Sequence, residues 1–175
     1  MPPCQLKVFL ILWTASMCLG MNLEARVESI GAIEGDKETL FTFTTRLLGR
    51  ERLLNGSIIN HVDLDESYEV WLDIDQYRNG DWVPSNMKVR TKPCNWFTNY
   101  FGKYFLPMIK DSNLPPVGEM CPFRKGEYYI RNAKIEPHNW PSILFQGLNK
   151  FIILYKKNGQ VYGGLEFVID LIDAI

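Results

Sequence analysis

Residues 68–91 read YEVWLDIDQYRNGDWVPSNMKVRT, and this stretch indicates that the chain is built from antiparallel β-strands. Apolar side chains recur at every second position up to Ile74, which is the period of a strand with one buried face. Asn79-Gly80 then predicts a two-residue type I′ turn, because both of its central positions need positive φ. The return strand covers Asp81 to Thr91, and Pro84 places it at a sheet edge or a bulge.

Further strands are predicted on both sides of this hairpin. They cover residues 22–36, 39–48, 57–64, 127–135, 148–157 and 161–172. Asn158-Gly159 predicts a second tight hairpin. Gly163 and Gly164 leave out side chains where another group approaches or the chain bends. We therefore expect a mainly β protein: an antiparallel β-cup or sandwich of about seven or eight strands with one amphipathic helical insertion.

The helical insertion is predicted from residues 92–110, KPCNWFTNYFGKYFLPMIK. At 100° per residue its aromatic side chains share one half of the helix, while Thr98, Asn99, Gly102 and Lys103 take the other half. The aromatic set is Trp96, Phe97, Tyr100, Phe101, Tyr104 and Phe105. An amphipathic helix that simply closes a filled core is one interpretation. The excess of large rings, joined by Phe123, Tyr128, Tyr129 and Trp140, favours the other, which is a lid over an apolar cavity.

The first twenty residues have the pattern of a secretion signal. Lys7 supplies a positive charge, residues 8–19 are apolar, and small residues precede Gly20. A dozen or so apolar residues are fewer than the roughly 20 that span a bilayer. We therefore expect residues 1–20 to be a signal peptide and residues 21–175 to form one lipid-recognition-like β-cup domain that is secreted and extracellular.

Removal of that signal would leave two cysteines, Cys94 and Cys121, which permit one internal disulfide. In an oxidising compartment this bridge would pin the helix and its return loop together. Two free buried thiols are the alternative. Asn55-Gly56-Ser57 is the only glycosylation sequon, although Asn-Gly is also a turn former.

Composition and motifs argue against several functions. The formal net charge is −1 and the chain has no basic block, so a nucleic-acid partner is not expected. Sequence signatures of nucleophile elbows, phosphate loops and clustered metal ligands are missing. His61 and His138 stand alone, and Asp73 and Asp75 alternate with apolar residues as the wet face of a strand does. We expect no catalytic residues, no metal and no cofactor.

One segment carries a family resemblance. Cys121-Pro122-Phe123-Arg124-Lys125-Gly126-Glu127-Tyr128, followed by Trp140-Pro141, Gly147 and Asn158-Gly159, resembles the C-terminal half of the ganglioside activator protein. Gly80-Asp81-Trp82, Lys92-Pro93-Cys94 and Leu106-Pro107 extend the likeness. The chain with its signal is also similar to the insect chemosensory B family. The resemblance implies a β-cup of the ML-like lipid-recognition group that carries lipids, and extracellular work in chemosensory hairs on cues such as pheromones.

These observations lead to one functional hypothesis and one alternative. The first is a secreted, non-enzymatic carrier or presenter of a lipid or other hydrophobic small molecule in pheromone or gustatory detection, with possible membrane-surface contact. The expected ligand-binding residues are Phe43, Val70, Leu72, Trp96, Phe97, Tyr100, Phe101, Tyr104, Phe105, Leu165, Phe167 and Ile169. The alternative is an extracellular interaction module whose exposed aromatic residues bind a receptor or channel.

Overall fold

The computed structural model describes residues 23–137, 140, 144 and 146–173. Within these ranges the chain forms ten β-strands and is mainly β, as predicted. The strands are β1 (Leu23–Ile33), β2 (Phe41–Phe43), β3 (Arg46–Leu48), β4 (Leu53–Asn60), β5 (Glu69–Arg78), β6 (Asp81–Thr91), β7 (Asp111–Ser112), β8 (Gly126–Ala133), β9 (Gly147–Lys157) and β10 (Gln160–Asp173).

The strands form two antiparallel ladders joined at one point. The first runs β6-β5-β9-β10-β1, and in the second β4 is flanked on one side by β2 and β3 and on the other by β8 and then β7. A single parallel pairing, Gly163 on β10 with Phe41 on β2, connects them. A Cβ on Gly163 would overlap the Phe41 carbonyl oxygen, and its φ is +136°. Glycine is therefore required where the chain passes from one sheet to the other, which explains half of the glycine pair noted in the sequence.

Two short strands account for the difference between ten strands and the expected seven or eight. The segment 39–48 is split into β2 and β3 opposite Gly56 of β4, which has φ +149° and where a Cβ would overlap the Thr44 carbonyl oxygen. Strand β7 is a two-residue pairing within the segment that follows the helix. Neither feature has a periodic pattern of its own.

Both Asn-Gly hairpins form as predicted. Asn79 and Gly80 have φ of +54° and +95°, and Asn158 and Gly159 have +52° and +80°. These turns fix the register of β5 with β6 and of β9 with β10. Pro84 lies on β6, the edge strand of its sheet. The pairing of β5 with β6 shifts register next to Pro84, between its pair with Asp75 and the pair of Asp73 with Lys88. The edge position spares Pro84 a ladder hydrogen bond that it has no N–H to make.

The helical insertion, α1 (residues 93–104), begins at Pro93 and contains one wider turn. It comprises an α-helical turn Pro93–Trp96, a π-helical turn Phe97–Phe101 and a final turn Gly102–Tyr104; a 3₁₀ turn, Leu106–Met108, follows. Gly102, expected on the solvent side, is half-buried because Val117 packs against it. A Cβ on Gly102 would lie 2.8 Å from a methyl group of Val117. The return loop therefore crosses the helix at this glycine.

Candidate ligand-binding cavity

Residues 94–121 form a flap that is bonded to itself by the Cys94–Cys121 disulfide, as predicted. The two Cα atoms are 5.2 Å apart. The Cys94 N–H donates to the Glu66 carboxylate at 2.9 Å, and Leu64 and Phe123 exchange two backbone hydrogen bonds of 2.8 and 3.1 Å. We call residues 94–121 the lid. Both of its ends are held against the loop that follows β4, and Asp111 and Ser112 of the lid pair with Arg131 and Ile130 of β8.

A series of aromatic contacts packs the lid against the rest of the protein. Phe97 packs edge-on against Phe101 and Phe123, with ring centroids 5.8 and 5.0 Å apart. Farther along, Phe105 contacts the rings of Trp140 and Phe167 at 5.9 and 6.0 Å. Trp96 and Phe97 are almost fully buried, whereas Phe101 and Phe105 are half-buried. The start of α1 therefore belongs to the hydrophobic core, and the remainder of the helix packs on the surface of that core.

Between the lid and the two sheets lies an apolar cavity of about 90 Å³. Both sheets and the lid contribute to its wall, and none of the described residues that line it carries a charge. Its lining comprises Val27, Ile30, Phe43, Thr45, Leu54, Ile58, Trp96, Phe97, Phe101, Phe105, Ile109, Leu114, Phe123, Ile130, Ile135, Ile153, Tyr155, Leu165 and Phe167. The interior of the cup is therefore mostly filled by the protein's own side chains, and a small apolar space remains.

The structure brings seven of the predicted ligand-binding residues onto this wall and leaves five away from it. Those on the wall are Phe43, Trp96, Phe97, Phe101, Phe105, Leu165 and Phe167. Val70, Leu72 and Ile169 are buried in the same hydrophobic cluster without lining the cavity. Tyr100 stacks on Trp96 at 5.7 Å, and Tyr104 faces a groove outside the lid. Strand periodicity identifies inward-facing residues, but it does not tell which of them meet a space.

Several lining residues were missed by sequence reasoning. Val27 and Ile30 come from β1, whose pattern is weak because a register shift between Val27 and Ser29 re-aims its side chains. Ile109 and Leu114 belong to the lid beyond its helix. The apolar residues between α1 and Cys121 were the only available signal for these two, since that segment has no regular period.

A polar groove lies on the other side of one cavity wall. In four places consecutive residues line the two spaces: Leu53 and Leu54, Tyr104 and Phe105, Ile109 and Lys110, and Lys134 and Ile135. Lys103 also faces the groove, so three lysines meet two carboxylates, Glu51 and Glu136, at this edge. The partition between the apolar cavity and this weakly cationic groove is one residue thick at these places.

An acidic residue ties the segment after the lid to the loop after β4. The Asp63 carboxylate accepts the Lys125 backbone N–H at 2.7 Å and an Arg124 guanidinium N–H at 2.9 Å. These bonds, with the backbone bond first, lower the pKa of Asp63. The Asn60 side chain, which interrupts the apolar face of β4, donates to the Arg124 carbonyl at 3.2 Å and is buried. The segment Arg124-Lys125 is thereby held both by Asp63 and by Asn60.

The remaining predicted sites are placed as follows. Asn55 is half-buried in β4; its side chain donates to the Leu53 carbonyl and accepts the Asn132 N–H, and its glycosylation stays a prediction. His61 is 3.5 Å from the Thr42 hydroxyl at the surface. His138 and the predicted signal peptide lie outside the described residues.

One group of potential metal ligands comes together among the described residues: the Glu66 carboxylate with the sulfurs of Cys94 and Cys121. Both sulfurs are bonded to each other in the disulfide.

The fold and the site together define a lidded β-cup with an apolar interior. Residues 70–151, from β5 through the lid to β9, match a family described as a protein of unknown function, DUF1091. No curated protein matches the chain. Within the part of the chain that the structure describes, no helix has the length and apolar character needed to cross a membrane. The Cys94–Cys121 disulfide is compatible with an extracellular protein.

Proposed function

We propose that this protein is a secreted, non-enzymatic carrier or presenter of a hydrophobic, lipid-like ligand. The observation that carries the proposal is the uncharged cavity between the two sheets, closed by a lid whose inner side is built from aromatic rings. Burial of each methylene of an acyl chain in such a space is worth about 0.8 kcal/mol. A setting in chemosensory detection, on pheromone or gustatory cues, rests on the resemblance to the chemosensory B family and the ganglioside activator.

The size of the cavity requires the lid to move. Ligand pockets usually enclose about 300–1,000 Å³, whereas the closed form encloses about 90 Å³. The rings of Phe101 and Phe105 are half-buried, and the lid is covalently bonded only at its ends. We propose that the part of the lid that carries Phe101 and Phe105 swings outward, that the ligand replaces the contacts of these rings, and that the lid then closes over it.

The wall of the cavity also supports a carrier without catalysis. Its lining has no carboxylate, imidazole, thiol or amine within the described residues, so it offers neither a general base nor a metal site. The three lysines of the outer groove give weak support for contact with an anionic membrane surface, since two carboxylates share the groove with them. A lipid could then pass directly between a bilayer and the lid.

Native mass spectrometry of the secreted protein tests this proposal. Purification from culture medium, followed by exposure to a total lipid extract, should give a complex whose added mass is lost on denaturation. The added mass should match a lipid found in the extract. A bare polypeptide after this exposure would contradict the proposal.

The alternative, an interaction module, has one observation in its favour. Tyr77 and Val83, near the tip of the β5–β6 hairpin, are each 45% exposed, and Trp82 packs against Tyr77 at 5.2 Å. Elsewhere on this sheet face Arg90 and Lys156 stack over Trp71, which leaves less bare aromatic surface. Binding to a receptor or channel that is abolished by Tyr77→Glu, in a protein that takes up no lipid, would favour this module.

A further inference from the structure

Two of the described residues that line the otherwise apolar cavity carry a hydroxyl group. Among the described lining residues, only Thr45 and Tyr155 have a side-chain oxygen. Thr45 follows β2, and Tyr155 lies on β9 in the opposite ladder. A cavity intended only for hydrocarbon would be expected to carry valine and phenylalanine at these positions, because these have nearly the same shapes without polar atoms.

The Thr45 hydroxyl is buried and has no hydrogen-bond partner among the described residues. Leaving a buried hydroxyl unpaired costs about 1–3 kcal/mol. Rotation about the Cα–Cβ bond of Thr45 can turn this hydroxyl toward the cavity that the residue lines, since a threonine side chain has three staggered positions. The unpaired group is therefore available to a ligand at the cost of a rotamer change.

The Tyr155 ring is held by two aromatic neighbours. Its ring stacks on Phe43 with centroids 6.0 Å apart and planes 8° apart, and it also contacts Phe41 at 5.1 Å. Burial raises the pKa of the Tyr155 hydroxyl, and burial is the only cause of that shift. The group thus stays protonated and able to donate at neutral pH. Phe43, which stacks on Tyr155, lies two residues before Thr45, and all three residues line the cavity.

These groups select among lipid chemistries. An ionised carboxylate would be buried without a cation, which is strongly unfavourable, and a plain hydrocarbon would leave the Thr45 hydroxyl unpaired. We propose that the cavity takes a neutral lipid with one hydroxyl or carbonyl oxygen, and that Thr45 and Tyr155 hydrogen-bond this oxygen. This inference rests on the proposed function and adds the class of ligand: long-chain alcohols, aldehydes or esters in preference to fatty acids or hydrocarbons.

The test uses three ligands of equal chain length: 1-dodecanol, dodecanoate and dodecane. Each displaces a fluorescent apolar probe from the full secreted protein at pH 7. Dodecanol should bind about tenfold more tightly than dodecane, as one net buried hydrogen bond would give, and more tightly than dodecanoate. Equal affinity for dodecanol and dodecane, or tighter binding of dodecanoate, would overturn the inference and leave the carrier function standing. Failure of all three to bind would overturn both.

Matched variants assign the effect to the two hydroxyls. Thr45→Val keeps the shape and removes the hydroxyl, Thr45→Ser keeps the hydroxyl, and Tyr155→Phe is an independent removal. Thr45→Val and Tyr155→Phe should each lower the ratio of dodecanol affinity to dodecane affinity about three- to tenfold. Thr45→Ser should retain the preference for dodecanol. A preference for dodecanol that persists in both hydroxyl-removing variants would contradict the assignment.

Discussion

Phe105 of the lid lies edge-on to Phe167 of β10, with ring centroids 6.0 Å apart and planes at 84°. Phe167 in turn stacks on Phe151 of β9 at 4.8 Å. These contacts join the C-terminal end of α1 to strands β9 and β10 without a covalent bond. An aromatic pair of this kind is worth about 0.5–1.5 kcal/mol, so a ligand that offers equivalent contacts can displace it.

A charge on the inner side of the lid should prevent it from closing. Phe101→Asp places a carboxylate at a half-buried position on the cavity wall, and its desolvation disfavours the closed form. Lipid uptake, measured by probe displacement, should fall at least tenfold. Thr98→Asp, which adds the same charge to an exposed position of the same helix, is the control and should bind normally. Unchanged uptake by a folded Phe101→Asp protein would rule out a gating role for this helix.

The disulfide should stabilise the fold and restrain the lid. Its partners are 27 residues apart, and a loop of about this length contributes about 3–4 kcal/mol on the chain-entropy model. Cys94→Ser with Cys121→Ser should lower the free energy of unfolding, measured in urea, by about that amount. Lipid exchange should become faster as well. The reduced wild-type protein should behave like the double variant, and a double variant as stable as the oxidised protein would refute the role.

The hairpins and the lid could be predicted from the sequence because their signals are local. Asn79-Gly80 determines a turn by its own backbone preference, and the spacing of rings from Trp96 to Phe105 determines one face of a helix. The joint between the sheets at Gly163 and Phe41 depends on residues distant in sequence, so the sequence indicates only that something approaches that glycine. The same reason explains why Val70, Leu72 and Ile169 were expected at the cavity: an inward-facing residue meets a space or a neighbour according to long-range packing.

Gly163 should be intolerant of any side chain. Gly163→Ala adds a Cβ that overlaps the Phe41 carbonyl oxygen at a positive φ, and we expect a loss of about 2–4 kcal/mol in unfolding free energy. Gly31→Ala is the matched control, because a Cβ there meets nothing within 4 Å. Thermal unfolding of both variants checks the prediction. Equal stability of the two would show that the joint between the sheets is not where we place it.

The contact of Asp63 with Lys125 and Arg124 should make stability depend on pH in acid. Since the folded-state pKa is lowered, the contribution is fully present above the unfolded value of about 3.9 and is lost as pH falls through the lower folded value. Asp63→Asn should therefore be less stable than wild type at pH 6, and the difference should shrink below about pH 4.

Urea unfolding at several pH values measures this difference. Arg124→Gln should give a smaller change than Asp63→Asn, because the Lys125 backbone N–H is the larger cause of the shift. A stability difference between Asp63→Asn and wild type that is independent of pH would contradict the assignment.

Trp96 gives the most direct measurement of whether a lipid enters beneath the lid, because its indole lines the cavity and is 1% exposed. A long-chain alcohol brominated along its chain quenches tryptophan fluorescence only at close contact. The account predicts quenching of the wild-type protein and of Trp71→Phe, whose indole lies on the outer face of the sheet, but much weaker quenching of Trp96→Phe. Equal quenching of wild type and Trp96→Phe, or no quenching of either, would contradict a ligand site in this cavity.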